Sequence, residues 1–243
     1  ELVPPAQAHK NVATIQKNLK CPDGVRLMDR PASYNGGESR LFKRAEQAAN
    51  VGREISLQYT HAHIRYIEAM AKIGENNEAW DSLFNVNPIL INESVPTANI
   101  RQSNMYFSSS DGAYHDRYDY AANFNLLREG KITVKGGWRL YSSGPGIYMR
   151  QLISHILGIR FVEGILIIDP VLPDSMDGLT FTFDCFHETK TFCYHLAKNN
   201  TTTVECDRKP LPFVPVKNPY RTGGICITRE ALLSCKGTID IYF

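Results

Sequence analysis

The chain has 243 residues, of which 43% are hydrophobic and 21% charged, an ordinary globular balance that excludes extended disorder. With 27 Lys plus Arg against 25 Asp plus Glu and no long basic run, the charge gives no support to a nucleic-acid partner. The longest aliphatic stretches, such as GILII, are far too short to span a bilayer, so no membrane partner is expected either.

The sequence opens on ELVPPAQAHKN, with no initiator Met and without the basic-then-apolar pattern of a signal peptide. This suggests that residue 1 lies inside a longer protein. Helical periodicity then recurs. Val12, Ile15 and Leu19 follow the Pro4-Pro5 start, Leu41, Phe42, Ala45, Ala48 and Ala49 follow Ser39, and Ile64, Ile67, Met70 and Ala71 precede Gly74. Ala79, Trp80, Leu83 and Phe84 share a helical face after Asn76, and Tyr118, Ala121 and Ala122 precede Gly130. Short connections between these segments predict helices packed as antiparallel neighbours. Residues 87–115 interrupt them as a long irregular stretch whose aromatic, amide and acidic content favours a functional loop.

The next segment, YSSGPGIYMRQLISHILGIR, places two hydroxyls and a flexible backbone before an apolar-periodic run that stops at Gly158. A helix start carries unpaired N–H groups and a partial positive charge, so Ser142, Ser143 and Gly144 are candidates for a phosphate or carboxylate cradle. The plainer alternative is that Ser143 or Gly144 caps the helix, with Pro145 in its first turn. After Gly158 the pattern changes to period two and short apolar runs: ILIID, LTFTFDCF, KTFCYHL, TTVECD, GGICIT and TIDIYF, separated by turn residues. These predict an antiparallel β-sandwich, or part of one. The expected domains are therefore residues 1–157, helical, and 158–243, β.

Five of the six cysteines lie after residue 184, and none forms a C-x-x-C pair, so reduced structural thiols, a cytoplasmic location and no metal centre are expected. His61 and His63 stand two apart on a predicted helix and so point to different faces, which argues against joint metal ligation. His61, near the start of that helix, can serve alone as a donor to an anion, with Glu54 on the approach. YFSSSDGAYHDRY offers Asp111, His115 and Asp116 beside Tyr106 and Tyr114, a mix suited to sugars, although Asp111-Gly112 can equally be a turn. There is no G-x-S-x-G elbow for a serine hydrolase and no G-x-G-x-x-G between strand and helix for a dinucleotide.

In order along the chain, PDGVRLMDRP, LQYTHAHIRYIEAM, SNMYFSSSD, GGWRLYSSGPGIY and LIIDPVLP together resemble the inverting phosphorylases of glycoside hydrolase family 94, and among them those acting on β-1,2-linked glucooligosaccharides. The resemblance implies an α+β multidomain chain: the C-terminal part of an (α/α)6 helical barrel over 1–157, followed by an antiparallel β-sandwich. It implies attack of phosphate on the anomeric carbon while a carboxylic acid protonates the leaving oxygen, giving α-glucose 1-phosphate from a β-linkage. Phosphate is then a co-substrate, and no cofactor is needed. The resemblance places His61, Ser143 and Gly144 at the phosphate site, with Ser143 standing where the family has Thr. It places Glu54 near the acceptor sugar, and Asp111 and Trp138 near the sugar subsites. The family's general-acid Asp falls upstream, with no counterpart in this sequence, so the upstream part of the same protein is an implied partner alongside phosphate and β-glucan oligosaccharides. Two alternatives stay open: the related domain of a cyclic β-1,2-glucan synthase, and a non-catalytic carbohydrate-binding fragment.

Overall fold

The computed structural model describes residues 3–31, 57–87, 89, 91–99, 107–141, 143–196 and 201–243. They fall into two compact units, Glu1–Ala69 with Asp81–Met149 and Met70–Trp80 with Arg150–Phe243. The helix expected around Leu41 to Ala49 lies outside the described residues.

In the first unit, the helix Pro5–Asn18 opens with proline in its first turn, where the missing N–H costs nothing, and it buries no residue. A small antiparallel hairpin follows, Lys20–Cys21 against Gly24–Val25. The helix Arg117–Arg128 begins at Asp116, whose carboxylate accepts from the Tyr118 and Asp119 N–H groups at 2.9 Å each. Two of the orphan donors of the helix start are thereby satisfied. Its inward residues Tyr120, Phe124 and Leu127 pack with Cys21, Ile91, Val95, Ala98 and Val134 into one core cluster. The Tyr120 ring meets Tyr114 and Phe124 edge-on, at 5.2 and 5.3 Å between centroids, and such aromatic pairs add to the apolar burial.

The stretch expected to be irregular contains regular structure. Ile91–Ser94 is a short helix, and Phe107–Gly112 is a strand paired antiparallel with Val134–Tyr141, with a register shift between Ser108 and Ser110. The helix Asn76–Phe84 forms where its period predicts, burying Ala79 and Leu83, but Phe84 is 45% exposed and does not belong to the buried face.

The helix Gly144–Gln151 starts after Ser143, whose carbonyl accepts from the Ile147 N–H at 3.1 Å, and continues as a wider π turn over Leu152–Ile156. It ends at Gly158, with φ +76°, where a Cβ would lie 2.2 Å from the Asp169 carbonyl carbon. Both the left-handed backbone and the close approach demand glycine there.

The second unit carries a four-stranded and a five-stranded sheet. The smaller runs Val214–Pro215, Ile225–Ile227, Ile165–Ile168, Ile159–Val162, all antiparallel. The larger runs Lys209–Pro210, Thr203–Cys206, Thr238–Tyr242, Glu188–His195, Leu179–Cys185. Every strand read from period two is present. Phe192, Tyr194, Ile239 and Ile241 are fully buried, while Thr191, Cys193, His195, Asp240 and Tyr242 alternate with them on the opposite face. Phe161 of the smaller sheet stacks on Phe183 of the larger at 6.4 Å.

Two expectations need correction. The larger sheet is not wholly antiparallel: Thr238–Tyr242 pairs antiparallel with Thr203–Cys206 but parallel with Glu188–His195. A parallel pair requires a crossover, and the chain makes one, leaving the larger sheet for Ile225–Ile227 and returning through the helix Arg229–Ser234. The cysteines are also not all reduced, since Cys206 and Cys235 form a disulfide. They are 29 residues apart, and the register of Cys206 with Ile239 brings Cys235, the residue that ends the helix Arg229–Ser234, beside the end of the strand Thr203–Cys206.

Candidate functional site

The helix Thr60–Ile73 enters from a segment whose backbone is tied to the strand Phe107–Gly112. The Gln58 N–H donates to the Ser110 carbonyl at 2.8 Å, the Ser110 N–H returns the bond at 3.2 Å, and the buried Thr60 N–H donates to Ser109 Oγ at 3.3 Å. These bonds fix the first turn of the helix, and with it His61.

A second anchor lies beneath. Asp23 and Arg26, both almost wholly buried, pair at 2.9 Å, and the Ser110 hydroxyl donates to the same Asp23 oxygen. His63 is buried too, and both of its ring nitrogens are engaged. Nδ1 accepts from the Val25 N–H at 3.1 Å, so Nε2 carries the proton and donates to the Ser82 carbonyl at 2.8 Å. This is a neutral core imidazole on a different face from His61, as the spacing of two predicts.

His61 behaves otherwise. Its Nε2 lies 2.7 Å from Ser143 Oγ, a residue 82 positions away in sequence. Its ring stacks on Tyr59, with centroids 5.2 Å apart and an interplanar angle of 21°. Desolvation holds the imidazole below its ordinary value of 6.5, so at neutral pH it is an uncharged ring. Ser143 is exposed and Gly144 buried at the start of the following helix. Two helix starts thus meet around one imidazole and one hydroxyl, both able to donate to the same small anion.

The structure therefore brings together His61, Ser143 and Gly144. Asp111 stands in the strand Phe107–Gly112, opposite Lys135 and 7% exposed, two residues from the Ser109 that holds Thr60. Trp138 belongs to the partner strand Val134–Tyr141, but its side chain lies outside the described residues, as do Glu54 and Ser142. His115 and Asp116 serve the helix Arg117–Arg128. The His115 N–H donates to Asp119 at 3.0 Å and Asp116 is the cap, so the sugar-like composition around them has a local structural use. Tyr59, Thr60 and Ser109 were not singled out from the sequence, although all three lie within the motifs LQYTHAHIRYIEAM and SNMYFSSSD.

Comparison with known proteins agrees with the resemblance. Residues 158–242 match the family model described as glycoside phosphorylase C-terminal domain. More particularly, the whole chain is 50% identical over 243 residues to the 1,2-beta-oligoglucan phosphorylase of Listeria innocua serovar 6a, of which it spans 22%. It is also 29% identical over 126 residues, 52% of the chain, to the cyclic beta-(1,2)-glucan synthase NdvB of Rhizobium meliloti, covering 4% of that protein. The resemblance to glycoside phosphorylases read from the five motifs is thus shown. Among the described residues no helix is long and apolar enough to cross a membrane.

Proposed function

We propose that this chain is the C-terminal part of a glycoside phosphorylase that cleaves β-1,2-linked glucooligosaccharides with inversion, releasing α-glucose 1-phosphate and a shortened oligosaccharide. The observation that carries the reading is the 2.7 Å pairing of His61 Nε2 with Ser143 Oγ at the starts of two helices. The likeness to the Listeria innocua enzyme supplies the substrate class.

On this reading inorganic phosphate takes the place of the His61–Ser143 hydrogen bond. His61 donates from Nε2 to one phosphate oxygen and Ser143 Oγ donates to another, while the N–H groups around Gly144 add the positive end of a helix. Tyr59 keeps the imidazole in plane. Phosphate so held attacks the anomeric carbon from the face opposite the leaving sugar, which inverts the configuration. It replaces the base-activated water of an inverting hydrolase, so a single protein carboxylic acid is needed, to protonate the leaving oxygen. That acid comes from the upstream part of the protein. Residues 1–157 then form the last helices of an (α/α)6 barrel and 158–243 the β-rich domain, with Glu54, Asp111 and Trp138 along the sugar subsites.

The test is phosphate-dependent release of glucose 1-phosphate from β-1,2-glucooligosaccharides, comparing this chain with a form extended upstream through the barrel. Activity in the extended form alone is expected. A second reading, a segment of a cyclic β-1,2-glucan synthase, is favoured by the 29% identity over 126 residues. Glucan-chain transfer without phosphate dependence would select it, and sugar binding with no turnover would reduce the chain to a carbohydrate-binding module.

A further inference from the structure

The outer face of the five-stranded sheet carries a side-chain cluster that phosphorolysis leaves unused. Cys193 and His195 stand two apart on the strand Glu188–His195, so both project to the same side. Asp240 is the register partner of Cys193 across the parallel pair, and Tyr242 that of His195. The Cys193 sulfur, a His195 ring nitrogen and an Asp240 oxygen all lie within 4.8 Å of one another. His195 Nε2 is 2.9 Å from Asp240 Oδ1, and the imidazole stacks on Tyr242 at 4.1 Å and 8°. The inward residues on either side of these, Phe192, Tyr194, Ile239 and Ile241, are fully buried, so a one-residue slip that would scatter the cluster would also expose the core.

We propose that Cys193, His195 and Asp240 bind a divalent transition-metal ion of the zinc type, with water in the fourth position. Thiolate, imidazole and carboxylate form a mixed donor set that suits zinc, and all three are half-buried, reachable by a hydrated ion. Zinc–ligand bonds of about 2.0–2.3 Å in a tetrahedron put neighbouring donor atoms roughly 3.4–3.6 Å apart, inside the separation found here. His195 Nε2 and Asp240 Oδ1 part by about half an ångström to admit the ion, a small side-chain rotation. A plain His–Asp ion pair explains their hydrogen bond, and the Cys193 thiol beside them makes only a long 3.9 Å contact to the Gly178 carbonyl, which leaves the sulfur lone pairs open to a metal.

A further feature favours a cation. Glu205 is the register partner of Asp240 on its other flank and brings a second carboxylate to the same face. The other free thiols are placed differently. Cys21 and Cys185 are buried, with burial pushing them up to about 12 and about 11, and Cys226 has no such companions among the described residues. The ion would clamp Thr238–Tyr242 to Glu188–His195, the parallel pair of the sheet, and would stabilise the fold by binding only the native state.

The experiment is titration of the chelator-treated chain with cobalt(II), without reductant so that Cys206 and Cys235 stay paired. One equivalent is expected to give the intense visible bands of tetrahedral cobalt and a near-ultraviolet thiolate-to-cobalt charge-transfer band, both displaced by zinc. Cys193→Ser abolishes the charge-transfer band, Cys226→Ser keeps it, and Asp240→Asn weakens binding at least about tenfold. Circular dichroism establishes that each variant folds. If Cys193→Ser does not fold, His195→Asn takes its place and is expected to lose the tetrahedral visible bands. Absence of the bands in the parent chain, survival of the charge-transfer band in Cys193→Ser, or survival of the visible bands in His195→Asn overturns the proposal.

Discussion

Ser143→Ala tests the anion cradle with the smallest change. The backbone carbonyl of residue 143, which accepts from the Ile147 N–H at 3.1 Å, is untouched, so the helix start survives. What disappears is the hydroxyl 2.7 Å from His61 Nε2, and with it one donor to the bound anion. A hydrogen bond to a charged group contributes about 1.5–3 kcal/mol. Ser143 is exposed, which puts the loss at the lower end, about 1.5 kcal/mol or roughly tenfold in a phosphate constant. Any cost of the substitution to the helix start appears in unfolding and not in the dependence on phosphate. The assay is initial-rate release of glucose 1-phosphate by the upstream-extended form, varying phosphate at saturating oligosaccharide and then the reverse. The KM for phosphate is expected to rise about tenfold while that for oligosaccharide stays within about twofold, and Ser143→Thr, which keeps the hydroxyl, stays near the parent. An unchanged phosphate KM, or equal losses for both substrates, refutes the placement of phosphate at this hydroxyl.

Asp23→Ala strands the buried Arg26 guanidinium and is expected to cost about 3–5 kcal/mol in urea unfolding, and a loss below about 1 kcal/mol contradicts a buried pair. Because desolvation lowers the His61 pKa, the unfolded chain takes up its proton first as pH falls past 6.5. Stability conferred by the neutral ring is therefore present above that value and declines to a plateau below the folded-state value. His61→Gln should flatten this part of the stability profile, whereas parallel profiles for variant and parent contradict the desolvated ring. The disulfide between Cys206 and Cys235 closes a loop with a sequence separation of 29, which corresponds to about 3–4 kcal/mol of chain entropy. Thermal unfolding should fall accordingly in dithiothreitol and in the Cys206→Ser, Cys235→Ser double variant, and a parent insensitive to dithiothreitol would remove the link.

Much of this fold could be read from local pattern, and the exceptions have identifiable causes. Helices with a clear apolar stripe and glycine stops, such as Thr60–Ile73 before Gly74, were expected, as were strands such as Leu179–Cys185 that alternate strictly. The strands Phe107–Gly112 and Val134–Tyr141 were not. They contain a run of serines and a Gly-Gly pair, poor strand formers, and are held by pairing across a separation in sequence that no local window detects. The same limit hid the disulfide and the parallel strand pair. Asp240 comes beside Cys193 through register alone, although the Cys-x-His spacing on an alternating strand already fixed two donors on one face. The helix start at Ser143 was legible from Ser, Gly and Pro, but that His61 should meet it came from the family resemblance.

The contrast between the two histidines of THAH bears on how the proposed site works. His63 has both nitrogens engaged by Val25 and Ser82 and so has no group to offer a ligand, and its work is to hold its helix against the hairpin and the helix Asn76–Phe84. His61, two residues earlier on another face, keeps Nε2 at the meeting point of two helix starts, where a hydroxyl now occupies the place an anion oxygen would take. Desolvation keeps that ring neutral. A neutral donor suits a site in which phosphate is the nucleophile. A fixed full cation would bind the phosphate dianion more tightly in the ground state and lower the electron density on the attacking oxygen, whereas catalysis gains only from interactions stronger in the transition state. Hydrogen-bond donors and helix dipoles orient phosphate at less cost to its nucleophilicity. The buried Asp23–Arg26 pair, joined through Ser110 to the strand that holds Thr60, then acts at one remove by fixing the first turn on which His61 stands.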